Sequence, residues 1–169
     1  MEAIIKPWVD LWDYLDGNFW HICDWASQQL TPAELAWQPI PQVASVGWNL
    51  QHLAEMLDHY LAHVFQHQPP VRAQLPTMSS GNLDDGRWHD LSAIAAYHRL
   101  MRPAYRSFLV GLSAVDFEKV RERAGRRSLS WAWAIGHIAE HESYHLGKCT
   151  LLRSLLMERR RAATSSRAV

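Results

Sequence analysis

The run HIAEHESYHLGK, residues 137–148, gathers the side chains best suited to chemistry in this chain. His141 and His145 are four residues apart. On an α-helix that spacing stacks both imidazoles on one face, a turn apart. Two neutral imidazoles so placed can close on one divalent ion without backbone strain. Trp131, Ala134, Ile138, His141, His145, Cys149, Leu152 and Leu156 share one helical stripe, so the pair points with the apolar side chains into a core. A lone histidine on such a stripe is ordinarily a hydrogen-bonded core residue. A pair at i, i+4 is as well explained as a ligand pair, and spacing alone leaves the two readings level.

His137 lies one turn earlier on the same side. Three ligands on one helix would span about 12 Å, too far for one ion. A third ligand must therefore come from a facing helix.

HESYH also matches the HExxH pattern, in which the glutamate is the general base of a zinc metalloprotease. Such proteases need a third ligand downstream. No histidine follows His145, and Glu158 is the only later carboxylate. No strand edge is visible to hold an extended substrate. Glu142 sits about 100° around the helix from His141, which suits a supporting or surface carboxylate better than a base.

The elements that must carry these residues read as helices. The first starts near Pro7 and runs to about Gln29, burying Trp8, Leu11, Trp12, Leu15, Phe19, Ile22 and Ala26. Thr31, Pro32 and Glu34 form a capping box on one short turn. Ser45 or Gly47 opens the second long helix, which ends before Pro69. Leu50, Leu53, Leu57, Leu61 and Val64 make one stripe; Trp48, His52, Met56, His59 and His63 make the next. His52 falls between Trp48 and Met56 and is the best third ligand. His59, His63 and His67 read as solvated or packing residues. Residues 69–88 are a long loop without periodicity. Asp90 caps a third helix that reaches Gly111 through Pro103, where a kink is expected. His98 on its apolar stripe has no partner four residues away and reads as packing. Residues 113–129 form a connection with a turn near Asp116–Val120. Ser130 caps the fourth long helix, which is expected to end near Met157 and leave 159–169 as a frayed polar tail. No strand is expected anywhere. The fold class is all-α: a single four-helix bundle over residues 1–158, with long connections.

The 169 residues hold 17 basic and 17 acidic side chains, a balance that gives no reason to expect nucleic acid or an anionic membrane as partner. No membrane-spanning segment and no signal peptide is apparent. Two cysteines far apart, Cys23 and Cys149, suit reduced thiols in the cytoplasm. Nine tryptophans exceed what one small core needs, and Trp20 and Trp25 lie off the first helix's stripe. Aromatic surface of that kind favours a homodimer.

LTPAELAWQPIPQVASVGWNLQHLAEMLDHYL, together with SWAWAIGHIAEHESYHLGKCTLLR, resembles the DinB/YfiT-like superfamily of metal-dependent proteins. The shared elements are the Leu-Thr-x-x-x-Leu segment, Trp37 with its following proline, the start from Ser45 to Trp48, the His52–Leu53 pair and the HxxxH-x-Gly run. The resemblance implies a four-helix bundle with a divalent metal on three histidines, matching His52, His141 and His145. Zinc or nickel suits three nitrogens, and iron or manganese is also compatible. It further implies thiol-dependent transferase or isomerase chemistry with a low-molecular-weight thiol such as mycothiol or bacillithiol; an ion on three nitrogens that activates a thiolate or a bound water would make the chain a metal-dependent S-transferase or a hydrolase acting on a small-molecule substrate. Members are often dimeric. Where members commonly carry Gly-Gln after the last ligand, this chain has Gly147–Lys148, which bears on substrate contacts rather than on the metal. The competing readings are a non-enzymatic metal-binding or stress-associated bundle, and an interaction protein whose histidines only pack. For a carboxylate-bearing substrate or thiol, Arg72, Arg87 and the group Arg121–Arg127 are the expected cations.

Overall fold

The structure, a computed structural model, describes residues 3–65, 69–71, 90–122 and 127–166. Four long helices carry the molecule: α1 (Lys6–Gln29), α3 (Val46–His59), α4 (Leu91–Val110) and α5 (Trp131–Ser165), with the one-turn α2 at Pro32–Leu35. Packed pairs are α1 with α4, α4 with α3, α3 with α5 and α5 with α1. The four therefore close a ring, with α1 opposite α3 and α4 opposite α5. The bundle expected from periodicity is the one observed.

Sequence-level signals position the helix starts. Ser45 Oγ accepts from Trp48 N at 3.1 Å, Asp90 Oδ1 from Ala93 N at 3.0 Å, and Ser130 Oγ from Trp133 N at 3.1 Å. Each cap satisfies one amide that the first helical turn leaves without a partner. Thr31 and Glu34 form the expected capping box ahead of α2. The apolar stripes meet in one core, in which Phe19, Leu50, Leu53, Leu57, Leu61, Ile94, Met101 and Ile138 are fully buried. Leu11, assigned to the buried stripe of α1, is instead exposed.

Three features depart from the sequence reading. First, α3 passes into a π-helical turn at Tyr60–Val64. Second, α5 runs to Ser165 rather than ending near Met157. Arg160 explains part of that length: its guanidinium donates to both Glu34 carboxylate oxygens at 2.8 Å and to the Gln29 carbonyl at 2.5 Å. A segment read as a polar tail is thus tied to the α1–α2 corner by a bidentate ion pair. Third, a two-residue antiparallel ladder, β1 (Val120–Arg121) with β2 (Leu129–Ser130), leads into α5. Two residues per strand are too few to show an alternating pattern, so no strand signal preceded it. The short turn ahead of it is a 3-10 helix at Ala114–Glu118, two residues earlier than expected. The loop read across 69–88 lies almost wholly outside the described residues, as do Arg72 and Arg87.

Candidate metal centre

The interface of α3 with α5 brings His52, His141 and His145 together. His52 Nε2 is 3.2 Å from His141 Nε2, and His145 Nε2 is 3.0 Å from it. Each of the three can offer one ring nitrogen, all within 4.8 Å of one another. His52 and His141 are half-buried, and His145 is 4% exposed.

The first turn of α3 sets this geometry. Asn49, fully buried, donates through Nδ2 to the carbonyls of Ser45 at 2.6 Å and Ala44 at 3.3 Å. Two carbonyl acceptors fix which end of the amide is nitrogen. Asn49 Oδ1 must then face His145 Nδ1, 2.6 Å away. An amide oxygen only accepts, so Nδ1 carries the proton and Nε2 presents its lone pair to the other two rings. Trp48 stacks on His52 at 4.5 Å between centroids, holding that ring from the side. The sequence reading passed over Asn49. It lies on neither apolar stripe of that helix, and nothing in the local sequence marks it.

This donor set fits a divalent ion. Ligand nitrogens at about 2.1 Å from a tetrahedral ion sit about 3.4 Å apart, close to the spacings here. Loss of the Asn49 support should weaken metal affinity about 10–100-fold while leaving stoichiometry at one, as outer contacts to ligating histidines typically do. A competition titration of Asn49→Ala against a chromophoric chelator measures it.

All three rings are held below the usual histidine value of 6.5. Burial lowers His52 to about 4, with the charges of His141 and Lys148 adding to it. Burial lowers His145 to about 3, followed by His52, His141 and Lys148. His141 is lowered by burial first, then His137, with Lys148 adding and Glu140 opposing. In the metal-free protein these groups make stability depend on pH. The unfolded chain takes up protons near 6.5, whereas the folded chain refuses them until lower pH. The stabilisation is therefore complete above about pH 6.5 and is lost as pH falls toward the folded values. The urea midpoint of metal-free protein should drop between pH 7 and 4.5, and His52→Ala should reduce that drop. An identical slope in the variant would contradict the assignment.

The remaining candidates lie elsewhere. His137 stacks on Trp133 and His141, at 4.7 and 5.4 Å between centroids, and its Nδ1 faces Glu140 at 3.3 Å. His98 is fully buried and donates through Nε2 to the Leu50 carbonyl at 2.6 Å. It packs, as its isolation on the stripe suggested. His59 and His63 are exposed at the end of α3, and His67 lies outside the described residues.

Glu142, the glutamate of the HExxH match, is completely buried. Both its oxygens accept from Arg102 Nη1, at 3.1 and 3.2 Å. A carboxylate engaged in that way is not available as a base toward solvent. Arg102 also donates to Asp16 Oδ1 and lies between Trp12 and Phe19, 4.5 and 4.3 Å from their ring centroids. The two thiols are equally withdrawn. Burial raises Cys23 to about 12 and Cys149 further still.

Arg121 is a residue of β1, paired with Leu129, and Arg127 lies in the connection just before β2. Among the described residues, the Lys148 charge makes a small contribution to lowering all three candidate ligands. A groove of about 430 Å³ lies between α1, α2 and the start of α4, lined by Trp20, Leu30, Leu35, Leu91 and Arg99, and includes none of the three histidines.

The fold and site together define a helical bundle in which three histidines from two helices converge and could hold one metal ion. The profile of the DinB superfamily matches residues 18–149, and the chain belongs to that superfamily. Among solved structures, a conserved protein from Enterococcus faecalis superimposes with a TM-score of 0.74 over 94% of this chain and 99% of that one. Its identity of 15% makes that likeness one of fold. No curated protein matches. No helix among the described residues is long and apolar enough to cross a membrane.

Proposed function

We propose that this chain is a metal-dependent enzyme, an S-transferase or hydrolase acting on a small molecule. His52, His141 and His145 hold its ion, with zinc or nickel favoured and iron or manganese compatible. The carrying observation is the convergence of three Nε2 atoms, one with its lone pair fixed inward by Asn49. Three neutral nitrogens leave a divalent ion with open coordination positions, as in catalytic rather than structural sites. Bound there, a divalent ion supplies Lewis-acid chemistry, acidifying and orienting an oxygen or sulfur nucleophile.

The chain's own groups constrain the rest. Neither Cys23 nor Cys149 supplies a thiolate at neutral pH, so a sulfur nucleophile must come from a small thiol. Glu142 is engaged by Arg102 and does not serve as base. Trp48 and Asn49 orient their histidines, and burial keeps the rings neutral.

The test is elemental analysis of untagged protein, then turnover with bacillithiol or mycothiol and an electrophile, or with hydrolysable esters and amides. Metal near one equivalent with turnover supports the reading. Metal-free protein from several growth media contradicts it.

A homodimer belongs to the same reading, although the tryptophans expected to form it do not. Trp25 is buried beneath Arg153, Trp20 is half-buried, and Trp133 is the exposed one among the described tryptophans. Support comes instead from Leu151 and Leu155, 61% and 39% exposed on one face of α5. Sedimentation should give a mass near twice 19.5 kDa, and Leu151→Lys should shift it toward the monomer. A wild-type monomer at high micromolar concentration excludes the dimer.

A further inference from the structure

Lys148 follows His145 by three residues and His141 by seven, so it rises from the same side of α5 as the candidate ligands. It is half-buried. Its Nζ rests 4.2 Å from the centroid of Tyr144, whose ring meets that of His145 edge-on at 5.1 Å. Its charge adds, as the smallest of the causes, to the lowering of His52, His141 and His145.

No carboxylate among the described residues pairs with it. The acids of α3 and α5 closest in sequence to the three histidines have other partners. Glu142 is held by Arg102, Glu140 faces His137 at 72% exposure, and Glu55 accepts from Gln51 Nε2 at 3.0 Å. Three neutral imidazoles, a divalent ion and one ammonium sum to three positive charges. A half-buried site with that charge is poorly satisfied by water alone.

We propose that Lys148 is a specificity residue that binds an anionic group of the substrate, a carboxylate or thiolate, against the open side of the three-histidine centre. The proposal rests on the metal-centre reading and deepens it. The ammonium serves as a point charge with rotatable donors, suited to one acceptor rather than to a planar fork. Tyr144 parks it at the rim when the anion is absent, since a cation over an aromatic face is held only weakly. Without the anion, the ammonium opposes the ion. The same side chain should therefore weaken metal binding and strengthen anion binding.

Cobalt(II)-loaded protein provides the test, because its visible spectrum responds to a change of ligand. Wild type, Lys148→Met and Lys148→Arg are titrated first with cobalt(II), then with acetate and, separately, with ethanethiol. The wild type should bind one cobalt ion and respond to at least one probe. Lys148→Met should bind cobalt several-fold more tightly and the responding probe tenfold or more weakly, the scale of a charge-assisted hydrogen bond. Lys148→Arg should restore most of the probe affinity. The probe that responds shows whether carboxylate or thiolate is the group bound. Equal probe affinity in wild type and Lys148→Met, or no response to either probe, overturns the role of Lys148 with the centre intact. Wild type that binds no cobalt overturns the metal-centre reading, and this proposal with it.

Discussion

His141→Ala protein should hold no stoichiometric divalent metal, whereas His137→Ala protein should hold one ion per chain. The two residues are one helical turn apart and their rings stack at 5.4 Å, so sequence proximity does not separate them. Geometry does. His141 Nε2 lies 3.2 Å from His52 Nε2 and 3.0 Å from His145 Nε2, at the meeting point of the three rings. His137 turns its Nδ1 to Glu140 and its ring to Trp133. Removing His141 leaves two nitrogens on different helices and should lower affinity by more than the roughly 100-fold typical of losing a supporting contact. Elemental analysis after dialysis, with equilibrium competition for the affinity, reads both variants. His52→Ala and His145→Ala should behave as His141→Ala does. Equal metal loss from His137→Ala and His141→Ala would show that the ion sits elsewhere.

The features legible in the sequence were those with a local or periodic signature. The stripes of α1, α3, α4 and α5 gave the bundle, and Ser45, Asp90 and Ser130 marked three helix starts. His141 and His145 were legible because i, i+4 is a geometric statement on any helix. Asn49 was not, because its role depends on how α3 packs against α5, and packing leaves no periodic mark. Arg102 was missed for the same reason: its partners Asp16 and Glu142 lie 86 and 40 residues away. Lys148 was noticed only as a departure from a family pattern, and the arginines were chosen by charge alone; Arg72 and Arg87 lie outside the described residues. The end of α5 was misplaced because RRRAATSS is polar, and a helix end held by one distant ion pair has no apolar stripe to reveal it.

Arg102→Ala should destabilise the protein by about 3–5 kcal/mol, the usual cost of removing one member of a buried ion pair. Arg102 is 2% exposed and Glu142 is not exposed at all. The pair sits where α4 meets α1 and α5, with Trp12 and Phe19 against the guanidinium. Without Arg102, Glu142 keeps its burial and loses both contacts to its partner. Burial already raises the Glu142 value against the opposing effect of Arg102. The carboxylate left alone should take up a proton rather than remain charged. Thermal unfolding should shift downward by about 6–20 °C, given about 2–4 °C per kcal/mol at this chain length. Arg102→Met combined with Glu142→Leu removes both charges with little change of volume and should recover much of the loss, because no uncompensated charge remains. Asp16 lies at the edge of the cluster and can turn to water, being 34% exposed. Glu142→Gln gives the decisive contrast with the HExxH reading. If Glu142 is a structural partner of Arg102, this variant loses stability yet binds metal at wild-type stoichiometry and turns over any substrate found for the wild type. If it is a base at the ion, stability changes little and turnover falls by about 100-fold or more. Melting curves and metal-loaded turnover of Glu142→Gln, measured together, decide between the two.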